Sequence, residues 1–221
     1  MKKLKSEYRE IGNVSFPEFT GERVYMRPFK KKGGLPSDLK RWQPTVEAML
    51  KDINTNEEIY IMIDQGVVKA GSTHRRCGPH IDGHWCSDIV SHGGSYPRHT
   101  SYPEKPSKPE KDIPPVHRGT GKHGLIKVEN TPGFWNVKNF GDEALILASN
   151  ISACYGYIGE IEGNPKDDGD CSHLDLSEMK KVKLKPNTVY SGNVTFIHES
   201  IPVDLDCNRT LVRLNVPGIR I

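Results

Sequence analysis

At 221 residues the chain has room for one domain with a full core, and its net charge of +3 is too small to argue for a nucleic-acid partner by itself. Apolar residues make up 35%, while 21 glycines and 16 prolines favour many turns over long helices. No apolar run approaches the length that crosses a bilayer, and residues 1–7 are charged with no apolar run behind them, so neither a membrane span nor a signal peptide is expected. The five cysteines (Cys77, Cys86, Cys154, Cys171 and Cys207) form no C-x-x-C pair and are odd in number. Reduced thiols in a cytoplasmic protein are the simplest account of them.

Residues 1–56 read as an N-terminal flanking segment of a single domain covering 1–221. It carries short mixed stretches such as Val24-Tyr25-Met26 and a basic run, Lys30-Lys31-Lys32, before two glycines, which is the composition of a solvated turn. Val46, Met49, Leu50 and Ile53 follow i, i+3, i+4, i+7 behind Pro44-Thr45, predicting a helix near 45–53 packed outside a sheet. Strand signals take over from residue 57. Ile59 to Ile63 is a β-rich run, Asp64-Gln65-Gly66 reads as a turn, and Val67-Val68-Lys69-Ala70 returns. Residues 87–122 hold six prolines and no apolar period, as a lid or a disordered insertion does. Beyond them come predicted strands at 125–128, 144–148, 154–161, 182–184, 188–198 and 209–216, separated by turn signals such as Lys185-Pro186-Asn187. The core is therefore assigned to 57–86 and 123–217, mainly β, in a sandwich or jelly roll with a few flanking helices.

The chemistry-bearing stretch is Gly78-Pro79-His80-Ile81-Asp82-Gly83-His84-Trp85. A His and an Asp two apart on a strand project to one face. With a distant His they make a 2-His-1-carboxylate site, which leaves coordination positions open on iron. His198 is the candidate third ligand. Near it on the final strand, Arg209, Leu211 and Arg213 share a face. A buried arginine needs a carboxylate partner, and a bound dicarboxylate inside a barrel would supply one with bidentate geometry.

Taken together, His80-x-Asp82, His198 and Arg209 resemble the pattern of the iron(II)- and 2-oxoglutarate-dependent dioxygenases, as does the run His198-Glu199-Ser200-Ile201-Pro202-Val203. The resemblance covers residues 75–216 and implies a double-stranded β-helix of the cupin-like kind. It implies that His80, Asp82 and His198 hold Fe(II), that Arg209 holds the far carboxylate of 2-oxoglutarate, and that O2 is consumed. Succinate and CO2 would be released as a substrate is hydroxylated. Arg209 and Arg213, four apart, also resemble the taurine-dioxygenase-like branch, where the second arginine meets an anionic substrate. Arg213, Trp85 and the 87–122 loop are then the places to look for substrate, which could be a small molecule, a nucleotide or a nucleic acid.

Other assignments compete for the same residues. Cys77, His80, His84 and Cys86 could enclose a structural Zn²⁺. Alternatively the chain is a metal-free jelly-roll binding module, with Arg209 and Arg213 on another chain's carboxylates. Arg213 could also bridge to Glu160. A second His-x-Asp, His173-Leu174-Asp175, lies too near His198 to leave room for the intervening strands and is assigned to a polar turn.

Overall fold

The computed structural model describes residues 3–82, 143–166 and 169–219. Its elements are β1 (Lys3–Ser6), β2 (Tyr8–Asn13), β3 (Arg23–Lys30), α1 (Gln43–Met49), β4 (Glu58–Val68), β5 (Glu143–Ser149), β6 (Cys154–Glu162), β7 (Lys180–Lys183), β8 (Thr188–Asn193), β9 (His198–Ser200) and β10 (Cys207–Pro217). The protein is mainly β. A six-stranded antiparallel sheet runs β2-β8-β5-β10-β4-β3, and in a smaller one β6 pairs with β1, β7 and β9. The predicted strand at 125–128, the 87–122 loop and Trp85 lie outside the described residues.

Strand alternation divides the larger sheet into two chemically different faces. Ile59, Ile61 and Ile63 of β4, Ala144, Ile146 and Ala148 of β5, and Val212, Leu214 and Val216 of β10 form one apolar face. It packs on Trp42, Val46, Met49 and Leu50, so the helix lies outside the sheet as the periodicity predicts. Each such side chain contributes about 1.5–3 kcal/mol when fully buried. The intervening residues, among them Met62, Leu147, Ser149, Arg209 and Arg213, look the other way and line a pocket together with Cys154, His198 and Ser200 from the smaller sheet. Both faces of the central strands are thus covered, one by α1 and one by the second sheet.

Several boundaries differ from those the sequence suggests. The helix ends at Met49, and Leu50 leaves helical geometry with φ −103° and ψ 10°. Lys31 Nζ then donates to the carbonyls of Leu50 (2.8 Å) and Ile53 (2.6 Å), closing the end with a side chain instead of another turn. Residues 1–56 do more than flank the core, since β1 extends the smaller sheet and β2 and β3 form both edges of the larger one.

Asp64-Gln65-Gly66 is strand interior, not a turn. Asp64 is paired by Arg75 (3.0 Å), Arg23 (3.3 Å) and His74 (3.4 Å), while Gln65 accepts from the backbone N–H groups of Thr20 and Glu22. Gly66 gives His74 its space, for a Cβ there would stand 2.5 Å from Nε2. Burial would raise the Asp64 carboxyl, but the hydrogen bond and charge of His74, with Arg75 and Arg23, bring it down to about 2. A depressed carboxyl stabilises the fold above its unfolded value and loses that contribution as pH falls. We expect about 2 kcal/mol to disappear between pH 4 and pH 2. Urea titrations across that range should show this loss flattened in Asp64→Asn.

The predicted strand 188–198 is broken in two. β8 stops at Asn193, the Phe196 N–H returns to the Asn193 carbonyl (2.9 Å), and the chain crosses to the smaller sheet before β9 begins at His198. Phe196 drives the break by filling space vacated by two glycines. A Cβ on Gly192 would lie 2.6 Å from its ring, and one on Gly156 2.7 Å. The ring in turn stacks on His198, with centroids 5.5 Å apart. Gly192→Ala should cost about 1–3 kcal/mol in denaturant melts by overpacking. It should also weaken metal binding about tenfold in calorimetry, because Phe196 can move only at the expense of His198.

Candidate metal centre

The β3–β4 pairing carries one extra residue between Val24 and Arg27, and Met26 there adopts φ 48°. Bulges of this kind re-aim a side chain beside a functional site. Here the bulge brings the Met26 sulfur to 3.4 Å from Arg213 Nη2.

Two backbone hydrogen bonds of 3.0 Å, one in each direction, pair His80 with His198. This places the residues from the two ends of the core side by side, with ring centroids 4.6 Å apart. Asp82 follows two residues after His80, and the ligating atoms of His80, Asp82 and His198 all lie within 4.8 Å of one another. Both histidines are buried. The three predicted ligands therefore converge.

The hydrogen bonds around the imidazoles set their tautomers. His80 Nδ1 is 2.8 Å from the Gly78 carbonyl and His198 Nδ1 is 3.1 Å from the Phe196 carbonyl. A carbonyl only accepts, so each Nδ1 carries the proton and each Nε2 offers a lone pair. His198 Nε2 then faces Asp82 Oδ2 at 3.2 Å. Two lone pairs at that distance repel unless a proton or a cation lies between them. This is the feature of the site that a metal ion fits. Burial, with a smaller push from His198, lowers His80 to about 3, which keeps it in the neutral ligating form near pH 7. Burial works against the Asp82 anion, but Arg213 foremost and then His198 hold its carboxyl well below the usual range. Two neutral imidazoles and one carboxylate form a set suited to iron or another first-row dication.

The arginines of β10 have separate surroundings. Arg213 Nη1 lies 2.6 Å from Asp82 Oδ2, so its charge is met by a ligand residue and not by Glu160, which pairs with Lys3. Arg209 is 1% exposed and donates through Nε to Ser149 Oγ at 3.3 Å. Its Nη1 is buried with no acceptor, and no carboxylate among the described residues lies within ion-pair distance. Burial pushes its pKa down. The pocket between the sheets holds His80, Asp82, His198, Arg209 and Arg213 together, with Ser149, Cys154, Arg75 and Tyr190 added to its wall. Strand alternation puts Ser149 on the face of Leu145 and Leu147, but no motif marks it, and Arg75 carries no sequence signal.

Cys77 is exposed, and His84 and Cys86 of the alternative zinc set lie outside the described residues. His173 and Asp175 are exposed turn residues, His173 on the Asn164 carbonyl and Asp175 on the Ser177 N–H. No helix among the described residues is long and apolar enough to cross a membrane. Compared with known protein families, curated proteins and solved structures, the chain matches none.

Proposed function

We propose that this chain is an Fe(II)- and 2-oxoglutarate-dependent dioxygenase on a double-stranded β-helix. The winding supports the fold assignment. The chain passes from β4 in the larger sheet to His80 beside β9, back to β5, over to β6 and β7, back to β8, over to β9 and back to β10. That gives the orders β4-β10-β5-β8 and His80-β9-β6-β7, as expected of two interleaved Greek keys.

The observation that carries the function is the convergence of His80, Asp82 and His198 in a pocket whose far wall holds an arginine with no acid. Bound iron would supply oxygen activation, coupling decarboxylation of 2-oxoglutarate to succinate with hydroxylation of a substrate C–H bond. The chain's own residues orient and charge-balance the reactants. His80 and His198 present Nε2 because backbone carbonyls hold each Nδ1–H. Arg213 keeps Asp82 ionised. Arg209 offers an unused N–H for a carboxylate, and Ser149 steadies it through Nε. Leu147, Leu184 and Leu211 line the same pocket and keep the wall around these charges apolar.

The test is succinate formation by protein loaded anaerobically with Fe(II), then given 2-oxoglutarate and air. Turnover that requires both and vanishes in His198→Ala supports the assignment. Metal binding without consumption of 2-oxoglutarate would leave a metal-binding module and overturn it.

A further inference from the structure

Asp82 Oδ2 serves two partners at once, Arg213 Nη1 at 2.6 Å and His198 Nε2 at 3.2 Å. A dication held by His80, Asp82 and His198 draws on the same carboxylate, so metal and Arg213 compete for its charge. Among the described residues no second acid lies within ion-pair distance of Arg213. Its Nη2 rests on the weakly accepting Met26 sulfur, and its Nε is buried with no acceptor. At 5% exposure the guanidinium cannot turn to solvent when Asp82 is taken from it. A buried cation deprived of its counter-charge is costly, and only an incoming anion in the pocket relieves it.

We propose that Arg213 is a metal-gated carboxylate receptor. In the metal-free site it neutralises Asp82; when a dication takes Asp82, Arg213 becomes the docking point for a carboxylate group beside the metal. The half-used fork matches such a group, since a planar carboxylate can accept from Nε and Nη together. Metal and carboxylate then bind with positive coupling, each raising the other's affinity by the same factor. The carboxylate belongs either to the cosubstrate or to the substrate, two sources with one chemistry. This inference rests on the metal assignment made above.

The experiment titrates Mn(II), which is stable in air, into the metal-free full chain by calorimetry, in sodium chloride or in sodium acetate at equal ionic strength. Wild type should bind Mn(II) about tenfold more tightly in acetate. In Arg213→Met the acetate effect should collapse, while affinity in chloride equals or exceeds wild type because the competitor for Asp82 is gone. Arg213→Lys, a point charge without the planar fork, is the second variant and should lose most of the acetate effect. Persistence of the wild-type acetate effect under saturating 2-oxoglutarate assigns the receptor to substrate, and its loss assigns it to the cosubstrate. Absence of an acetate effect in wild type, or weaker metal binding in Arg213→Met, overturns the proposal and makes Arg213 a prop for Asp82. Mn(II) binding that survives His198→Ala overturns the metal assignment as well.

Discussion

Arg209→Met is expected to abolish high-affinity 2-oxoglutarate binding while making the cosubstrate-free protein more stable. Arg209 is 1% exposed, has one long bond to Ser149, and keeps a buried Nη1 without an acceptor. Such a charge is costly to the folded state unless an anion arrives. Methionine is comparably long and flexible, and replacing a buried unmatched ion with an apolar side chain should stabilise the fold by about 1–3 kcal/mol. For a chain of this size that is a rise in melting midpoint of about 2–12 °C. The same change removes the partner of a buried carboxylate, a loss of about 2–5 kcal/mol, or roughly 30- to several-thousand-fold in affinity. The two effects should appear together, in scanning calorimetry and in a 2-oxoglutarate titration of the metal-loaded protein. An arginine with a purely structural role gives the opposite sign of stability change.

Asp82→Ala and His198→Ala should both eliminate metal binding yet differ sharply in the metal-free state. Asp82 neutralises Arg213 at 2.6 Å, and its removal strands a guanidinium that is 5% exposed. Breaking a buried pair from one side costs about 3–5 kcal/mol. His198 has no comparable dependant. Its ring stacks on Phe196 and its Nδ1 bonds one backbone carbonyl, so its loss is a packing defect of about 1–3 kcal/mol. A dication at a thousand times its Kd stabilises wild type by about 4 kcal/mol, and neither variant should show any of that gain. Thermal melts with and without metal separate the two roles of Asp82, since only that residue changes the metal-free curve strongly.

The sequence was most informative where alternation and chemistry coincide. Ile59, Ile61 and Ile63 against Met62, and Val212 and Leu214 against Arg209 and Arg213, show in one dimension which face meets the helix and which the pocket. His80-x-Asp82 and His198 were legible because period two fixes one pair and the end of the strand run suggests the third. Local composition misled where distant residues decide. Asp64-Gln65-Gly66 has turn chemistry, but Arg23, His74, Arg75 and the Thr20 and Glu22 amides satisfy it inside a strand. Val194 to Ile197 has high β-propensity, yet Phe196 needs the room above Gly156 and Gly192 and bends the chain between sheets. The Arg213–Asp82 pair could not be read from either residue's neighbours. It exists because β10 faces the smaller sheet at the height where His80 joins β9.

The most direct measurement is an anaerobic titration of metal-free protein with Fe(II) and then 2-oxoglutarate, followed by visible absorbance. A charge-transfer band should appear only when both are present, be lost in His198→Ala, and need at least a hundredfold more 2-oxoglutarate in Arg209→Met. If Fe(II) binds and 2-oxoglutarate brings no band at any concentration, the cosubstrate assignment, and with it the dioxygenase function, is contradicted.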